Sequence, residues 1–151
     1  MSLRFAGFPV FTGFILLTML VPNASADSLA YAELSNATFG IQDLTTGTFT
    51  ILGSNTGLDG LGEVGTALYG VGGSSLYSVN PANGALTSVG TGATPFIDFG
   101  STTAGLFGLD SSFNLYSINS ATGTSTLIGP TSLPSGFHSG LSAGGGNTLF
   151  H

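Results

Sequence analysis

Three segments of fifteen residues align position for position without a gap: Phe39–Gly53 (FGIQDLTTGTFTILG), Leu76–Gly90 (LYSVNPANGALTSVG) and Leu115–Gly129 (LYSINSATGTSTLIG). A short unit that recurs at a fixed spacing buries its apolar face against copies of itself, so the repeat constrains the fold before any local structure is considered. The shared glycines Gly47, Gly84 and Gly123 are 37 and 39 residues apart. Upstream of each copy stands a second apolar stretch: Leu29–Leu34, Ala67–Val71, Gly105–Leu109 and then Gly140–Ala143. A fourth copy begins at Thr148-Leu149-Phe150 and runs to His151.

The unit reads as β structure. Leu76, Ser78 and Asn80 alternate with Tyr77 and Val79, a period of two with β-branched and aromatic residues, and no run carries a helical stripe. Asp43, Asn80 and Asn119 stand four residues before the shared glycine. A short side-chain oxygen there can accept from the backbone two residues on and start a turn, and the glycine supplies the positive φ that closes it. Pro81 suits the second turn position because its φ is already fixed. Two hairpin strands, the strand upstream and a variable segment make up to four short strands per repeat, the dimension of a propeller blade. The expected fold is all-β, with propeller-type repeats of 37–39 residues, three blades and the start of a fourth.

The segment before the repeats has a different character. Arg4 supplies one positive charge, Phe5 to Val21 is apolar apart from Thr12 and Thr18, and Ala24-Ser25-Ala26 ends the stretch with small residues. That is the layout of a secretory signal with cleavage after Ala26, giving residues 1–26 as signal peptide and 27–151 as the repeat domain. An uncleaved anchor is the rival reading, since the 17 residues of Phe5–Val21 reach the bottom of the spanning range. Gly7, Pro9 and Gly13 interrupt the stretch and the small-residue exit favours cleavage, so no stable membrane anchor is expected afterwards. The chain has no cysteine. Lipid attachment at a cysteine is therefore ruled out, and a secreted domain of this size must stand on its core without disulfides.

Residues 27–151 contain no Lys or Arg and all seven acids. Such a surface is built from Ser, Thr, Asn and Gly. It repels phosphate backbones, which excludes nucleic acid as a partner, and offers no arginine fork for anionic ligands. The regularly spaced Leu, Val, Ile, Phe and Tyr set the chain apart from disordered sequences of low charge.

The unit L-Y-S-[VI]-N-x-x-[NT]-G-x-x-x-x-[VI]-G, present as LYSVNPANGALTSVG and LYSINSATGTSTLIG, resembles the blades of secreted bacterial β-propeller repeat proteins, many of which carry a PEP-CTERM sorting tail. The resemblance covers nearly all of residues 27–151 and rests on structural motifs, so it implies a fold and export more than a chemistry. This chain lacks the Pro-Glu-Pro, apolar span and basic cluster of such a tail. Known propellers close with four or more blades, and three leave open strand edges that no lysine protects here. Three outcomes are expected: a truncated product, two copies self-associating through those edges into a ring, or closure of Leu29–Leu34 onto the last strand.

Asp59, Asp98 and His138 fall 6, 8 and 9 residues after Gly53, Gly90 and Gly129, in one variable segment of successive repeats. In a ring, equivalent loops converge near the axis, so these three, with Glu63 nearby, are the candidate binding residues for a neutral or cationic ligand. The simpler reading makes them solvated loop residues. Calcium could be sought at Asp43, Asp59, Glu63, Asp98 and Asp110, but no D-x-D-x-D-G spacing exists and Asp110-Ser-Ser reads as a turn, so no metal site is assigned.

Catalytic groups are scarce. His138 and His151 are thirteen residues apart and form no H-E-x-x-H motif. Ser139 beside His138 would point to the opposite face of a strand. Paired carboxylates for glycosidic chemistry would have to come from Asp59, Glu63 and Asp98. Gly70–Gly73 and Gly144–Gly146 precede no helix and are not a dinucleotide loop, so no cofactor is expected. The rings of Tyr69, Tyr77, Phe107, Phe113 and Tyr116 read as packing between blades. Asn36-Ala-Thr38 matches a glycosylation acceptor, which carries little weight in a bacterial-looking exported chain. The expected function is an exported, non-enzymatic propeller-like binding or structural module at the cell surface or outside the cell, with a neutral ligand or a protein as partner. The rival is a fragment of a propeller enzyme, quinoprotein-dehydrogenase-like or cyclotransferase-like, with its catalytic blades elsewhere.

Overall fold

The computed structural model describes residues 29–92, 94–132, 141–143 and 147–150. Residues 1–26, read above as a signal peptide, and the candidate His138 lie outside them. The described residues form an all-β structure of antiparallel sheets. The first sheet has three strands in the order β1 (Leu29–Glu33), β2 (Thr38–Asp43) and β3 (Phe49–Ser54). The second is a four-stranded meander of β4 (Gly60–Val64), β5 (Ala67–Gly72), β6 (Ser75–Val79) and β7 (Leu86–Thr91). The third repeats it with β8 (Phe96–Thr102), β9 (Gly105–Asp110), β10 (Asn114–Ile118) and β11 (Ser125–Pro130). A two-stranded ladder of β12 (Ser142–Ala143) and β13 (Leu149–Phe150) follows.

The aligned segments form the outer hairpins β2–β3, β6–β7 and β10–β11, and their turns are copies of one another. Asp43, Asn80 and Asn119 each accept from the glycine amide four residues on at 2.8 Å. Their side chains accept from Thr45 at 2.7 Å, Ala82 at 2.9 Å and Ala121 at 2.9 Å. Gly47, Gly84 and Gly123 all have φ of 73°, a left-handed conformation that strains any residue with a Cβ.

Each hairpin also carries the same β-bulge. Phe39 pairs with Gly53 but Gly40 with Ile51, Leu76 with Gly90 but Tyr77 with Ser88, and Leu115 with Gly129 but Tyr116 with Leu127. One extra residue therefore sits on the outer strand each time: Leu52, Val89 or Ile128. A bulge bends its strand and increases local twist, which aims the outer strand toward a neighbouring sheet.

Two apolar clusters hold neighbouring sheets together. Phe39, Leu68 and Val79 are buried between the first and second sheets, with Leu52, Leu58, Leu61 and Leu86 packed against them. Val71, Leu76, Phe96, Phe99, Leu106 and Ile118 are buried between the second and third. Burying side chains of this size stabilises by about 1.5–3 kcal/mol each. The sheets also meet backbone to backbone: a Cβ on Gly53 would collide with the carbonyl of Asn83, and one on Gly90 with the carbonyl of Thr122. The hairpin's last glycine is thus required by the turn of the following sheet.

Tyr69 and Tyr116 pack at the edge of the second cluster. Tyr116 meets Phe96 edge to face at 5.7 Å within its own sheet, so this ring links strands as well as sheets.

In one place the repeat runs differently from its sequence reading. By sequence Gly140–Ala143 looks like a copy of the stretch Ala67–Val71, which lies in β5. Leu141 and Ser142–Ala143 instead lie beside β8, against Gly100, as β4 lies beside β8. Ser142–Ala143 therefore takes the place of β4 and β8, and Leu149–Phe150 that of β5 and β9. The reason is that a strand's place is set by the neighbouring sheet it lies against, and apolar composition alone does not reveal that neighbour.

Candidate functional site

The first strands of successive sheets lie side by side. A Cβ on Gly60 would come within 3.0 Å of Phe99, and the amide of Glu63 donates to Ser101 Oγ at 2.8 Å. Gly100 in turn sits against Leu141, with a virtual Cβ 2.7 Å from its carbonyl oxygen, and Thr103 Oγ1 donates to Asn147 Oδ1 at 2.8 Å. β4, β8 and the segment containing β12 thus form an inner row. Glycine at alternate positions lets these backbones approach closely.

Asp59 and Asp98 are not equivalent in this arrangement. Val71 and Leu109 both pair with the first residue of the repeated motif, Leu76 and Leu115. Gly60 pairs with Val71 and Asp98 with Leu109, so Asp98 stands where Gly60 stands. An extra residue, Ile97, sits between the pairings of Phe96 and Asp98 and shifts the count. Asp98 is buried within β8, 5% exposed. Asp59 is exposed just before β4, and its Oδ2 accepts from the amide of Gly73 at 2.7 Å, tying the entry of β4 to the β5–β6 turn. One carboxylate closes a turn region and the other belongs to a strand interior, so the shared loop expected of them is not formed.

The other acids are also engaged by backbone. Asp110 opens the β9–β10 turn. Its carboxylate accepts from the amides of Ser112 and Asn114 at 2.9 Å each, from Asn114 Nδ2 at 3.0 Å and from the Tyr116 hydroxyl at 3.2 Å. Burial pushes the Asp110 carboxyl up, and the donors of Asn114, Ser112 and Tyr116 outweigh it and hold the group below the ordinary carboxylate value. Asp43 is lowered too, by the amides of Thr46 and Thr45. Among the described residues, no three His, Cys, Asp or Glu side chains are grouped to hold a metal ion.

A concave feature lies along β1. In the second and third sheets the strand equivalent to β1 carries β4 or β8 on its other edge, whereas no strand of the described residues pairs with that edge of β1. A cavity of about 290 Å³ opens there, lined by Tyr31, Glu33, Leu58, Asp59 and Leu61 among others. It is flanked by a second of about 470 Å³ that reaches Gly62, Glu63 and Ser101. Tyr31 stacks on Phe39 at 5.7 Å with an interplanar angle of 10° and remains 39% exposed. Glu33 Oε1 accepts from the amide of Leu58 at 2.7 Å and Oε2 from Asn55 Nδ2 at 2.8 Å, which fixes the link between β3 and β4 as one wall.

Tyr31 and Glu33 were not among the candidates that loop position suggested. The signal for Glu33 is present in the repeat: Glu33 pairs with Phe39 as Val71 pairs with Leu76 and Leu109 with Leu115, a charged residue where the other copies have aliphatic ones. The walls of this cleft are backbone, aromatic and carboxylate. No family model matches the chain, and no match was found among curated proteins or solved structures.

Proposed function

We propose that the chain is an exported, non-enzymatic repeat module of propeller type, and that its contact surface is the cleft along β1. The observation that carries this reading is the identity of construction between sheets. The same turn, the same bulge and the same glycine-to-backbone contact recur, and the inner strands run side by side in sequence order, as blades do around an axis. Export rests on the layout of residues 1–26 and agrees with a cysteine-free, lysine-free repeat domain. The carboxylates of Asp43, Asp59 and Asp110 accept hydrogen bonds from turn amides, which is a structural use.

The test of export is to produce the full chain in a bacterial host and to determine the mass of the product outside the cytoplasm. A chain beginning at Asp27 is the expected product. A cytoplasmic chain that keeps Met1 would overturn the reading.

A further inference from the structure

We propose that Asn83 is the residue at which this chain ages. Once the β6–β7 turn opens, Asn83 cyclises with the amide of Gly84 and releases ammonia, and the rearranged product cannot rebuild the junction between the first and second sheets. Neither the reaction nor its consequence depends on the propeller-type reading.

Asn83-Gly84 is the chain's one Asn-Gly pair. In such a pair the backbone nitrogen of the glycine attacks the side-chain carbonyl carbon of the asparagine. The N–Cγ bond forms, the Cγ–Nδ2 bond breaks, and the amide proton leaves with Nδ2 as ammonia. Water then opens the five-membered imide at either carbonyl. One opening leaves an aspartyl residue. The other runs the main chain through Cγ and leaves an isoaspartyl residue, with one more carbon in the backbone. Glycine favours the attack because it has no Cβ to crowd the ring and reaches backbone angles closed to other residues.

The native turn withholds each reacting group. The amide of Gly84 donates to the carbonyl of Asn80 at 2.8 Å, so the nucleophile is held by its proton. Asn83 Oδ1 accepts from the amide of Ala85 at 3.0 Å, which fixes the rotation of the side chain. Gly84 itself is pressed on Phe39: a Cβ there would lie 2.8 Å from that side chain. Ring closure needs these contacts to open together, so its rate in the folded chain follows the opening of this turn.

The other two turns isolate what the asparagine adds. Thr46 and Thr122 stand in the place of Asn83, and their hydroxyls accept from the amides of Thr48 at 3.3 Å and Thr124 at 3.4 Å. The turn therefore forms with threonine, which lacks the amide carbon that the reaction needs. The backbone at this position has a second task. The carbonyl of Asn83 abuts Gly53 and that of Thr122 abuts Gly90, so this peptide is where one sheet touches the next. An isoaspartyl residue lengthens the chain at that contact and displaces Gly84 from Phe39. An aspartyl residue keeps the backbone and exchanges only the amide for a carboxylate of nearly the same shape.

In the test, the full chain is held in mildly alkaline buffer, folded in one arm and unfolded in guanidinium chloride in the other, and peptide maps follow conversion at Asn83. Conversion should be at least about tenfold slower in the folded arm. Asn83→Thr should show no conversion at this position in either arm. After removal of denaturant, the isoaspartyl fraction of the aged chain should melt below the fresh chain, whereas Asn83→Asp should melt close to it. Asp59-Gly60 can rearrange by the same ring without loss of ammonia, and the Asn83→Thr chain aged in parallel carries that background. Equal conversion in the two arms would overturn the inference, because the turn would then shield nothing. An isoaspartyl fraction that melts with the aged Asn83→Thr chain would overturn it as well.

Discussion

The first and third sheets are built from the same unit and live in different surroundings. Both have the outer hairpin, the Asx-type turn and the bulge. In the third, Leu106 and Leu109 are 1% and 0% exposed, beneath β8 and against the second sheet. In the first, the corresponding residues of β1 are Ala30 and Glu33, and Leu29 and Tyr31 stay 50% and 39% exposed. The outer hairpin is specified locally, by a turn that needs only its own side chain and glycine. The inner strand depends on what lies against it, and its sequence follows that neighbour.

The largest expected effect is at Leu109. Leu109→Ala should cost about 3 kcal/mol, seen as a lower denaturant midpoint at unchanged slope. Glu33→Ala removes two hydrogen bonds at the same place in the first sheet and should cost about 1–2 kcal/mol. Equal losses would break the contrast between a core position and a cleft wall. Gly90→Ala sets a Cβ against the Thr122 carbonyl and should also cost about 3 kcal/mol, by separating two sheets. Gly47→Ala has the same strained φ as the other turn glycines but open space around it, so the cost is about 1–2 kcal/mol. Gly84→Ala, where Phe39 blocks the Cβ as well, should lie between them in thermal denaturation.

A smaller effect separates the buried acid from the exposed one. The Asp110 carboxyl is held below its ordinary value of 3.8, so its folded form binds a proton less readily than its unfolded form. Its contribution is complete above that ordinary value and is lost as pH falls below it, through the lowered folded pKa. Asp110→Asn should flatten that part of the acid limb in melting experiments between pH 5 and pH 2. Asp43 has the same sign of shift but is exposed, and Asp43→Asn installs the residue found at Asn80 and Asn119. It should leave the melting temperature at neutral pH nearly unchanged and remove only a slight acid dependence. A larger change at Asp43 than at Asp110 would reverse the ranking.

Much of the fold was readable because turn chemistry and strand alternation are local. Asp43, Asn80, Asn119 and their glycines mark the three hairpins without any knowledge of neighbours. The site was readable only in part. Asp59 and Asp98 stand 6 and 8 residues after Gly53 and Gly90, and that difference, reduced by the one extra residue Ile97, leaves Asp98 inside a strand at the place of Gly60. Equal composition likewise concealed that Ser142–Ala143 belongs with β4 rather than β5. Sequence distance does not register an inserted residue in a ladder, and the neighbour a strand lies against becomes visible only once the sheets are packed.

By itself the sequence determined the unit: its length, its β character, its turns and a composition without positive charge after residue 26. These follow from backbone preferences and periodicity, which act over a few residues. The tertiary structure decided which strands pair, where the bulge residues point, which glycines are pressed against a neighbouring backbone and that a cleft opens beside β1. Those depend on contacts between residues some forty positions apart, as between Glu63 and Ser101, and no local preference encodes them.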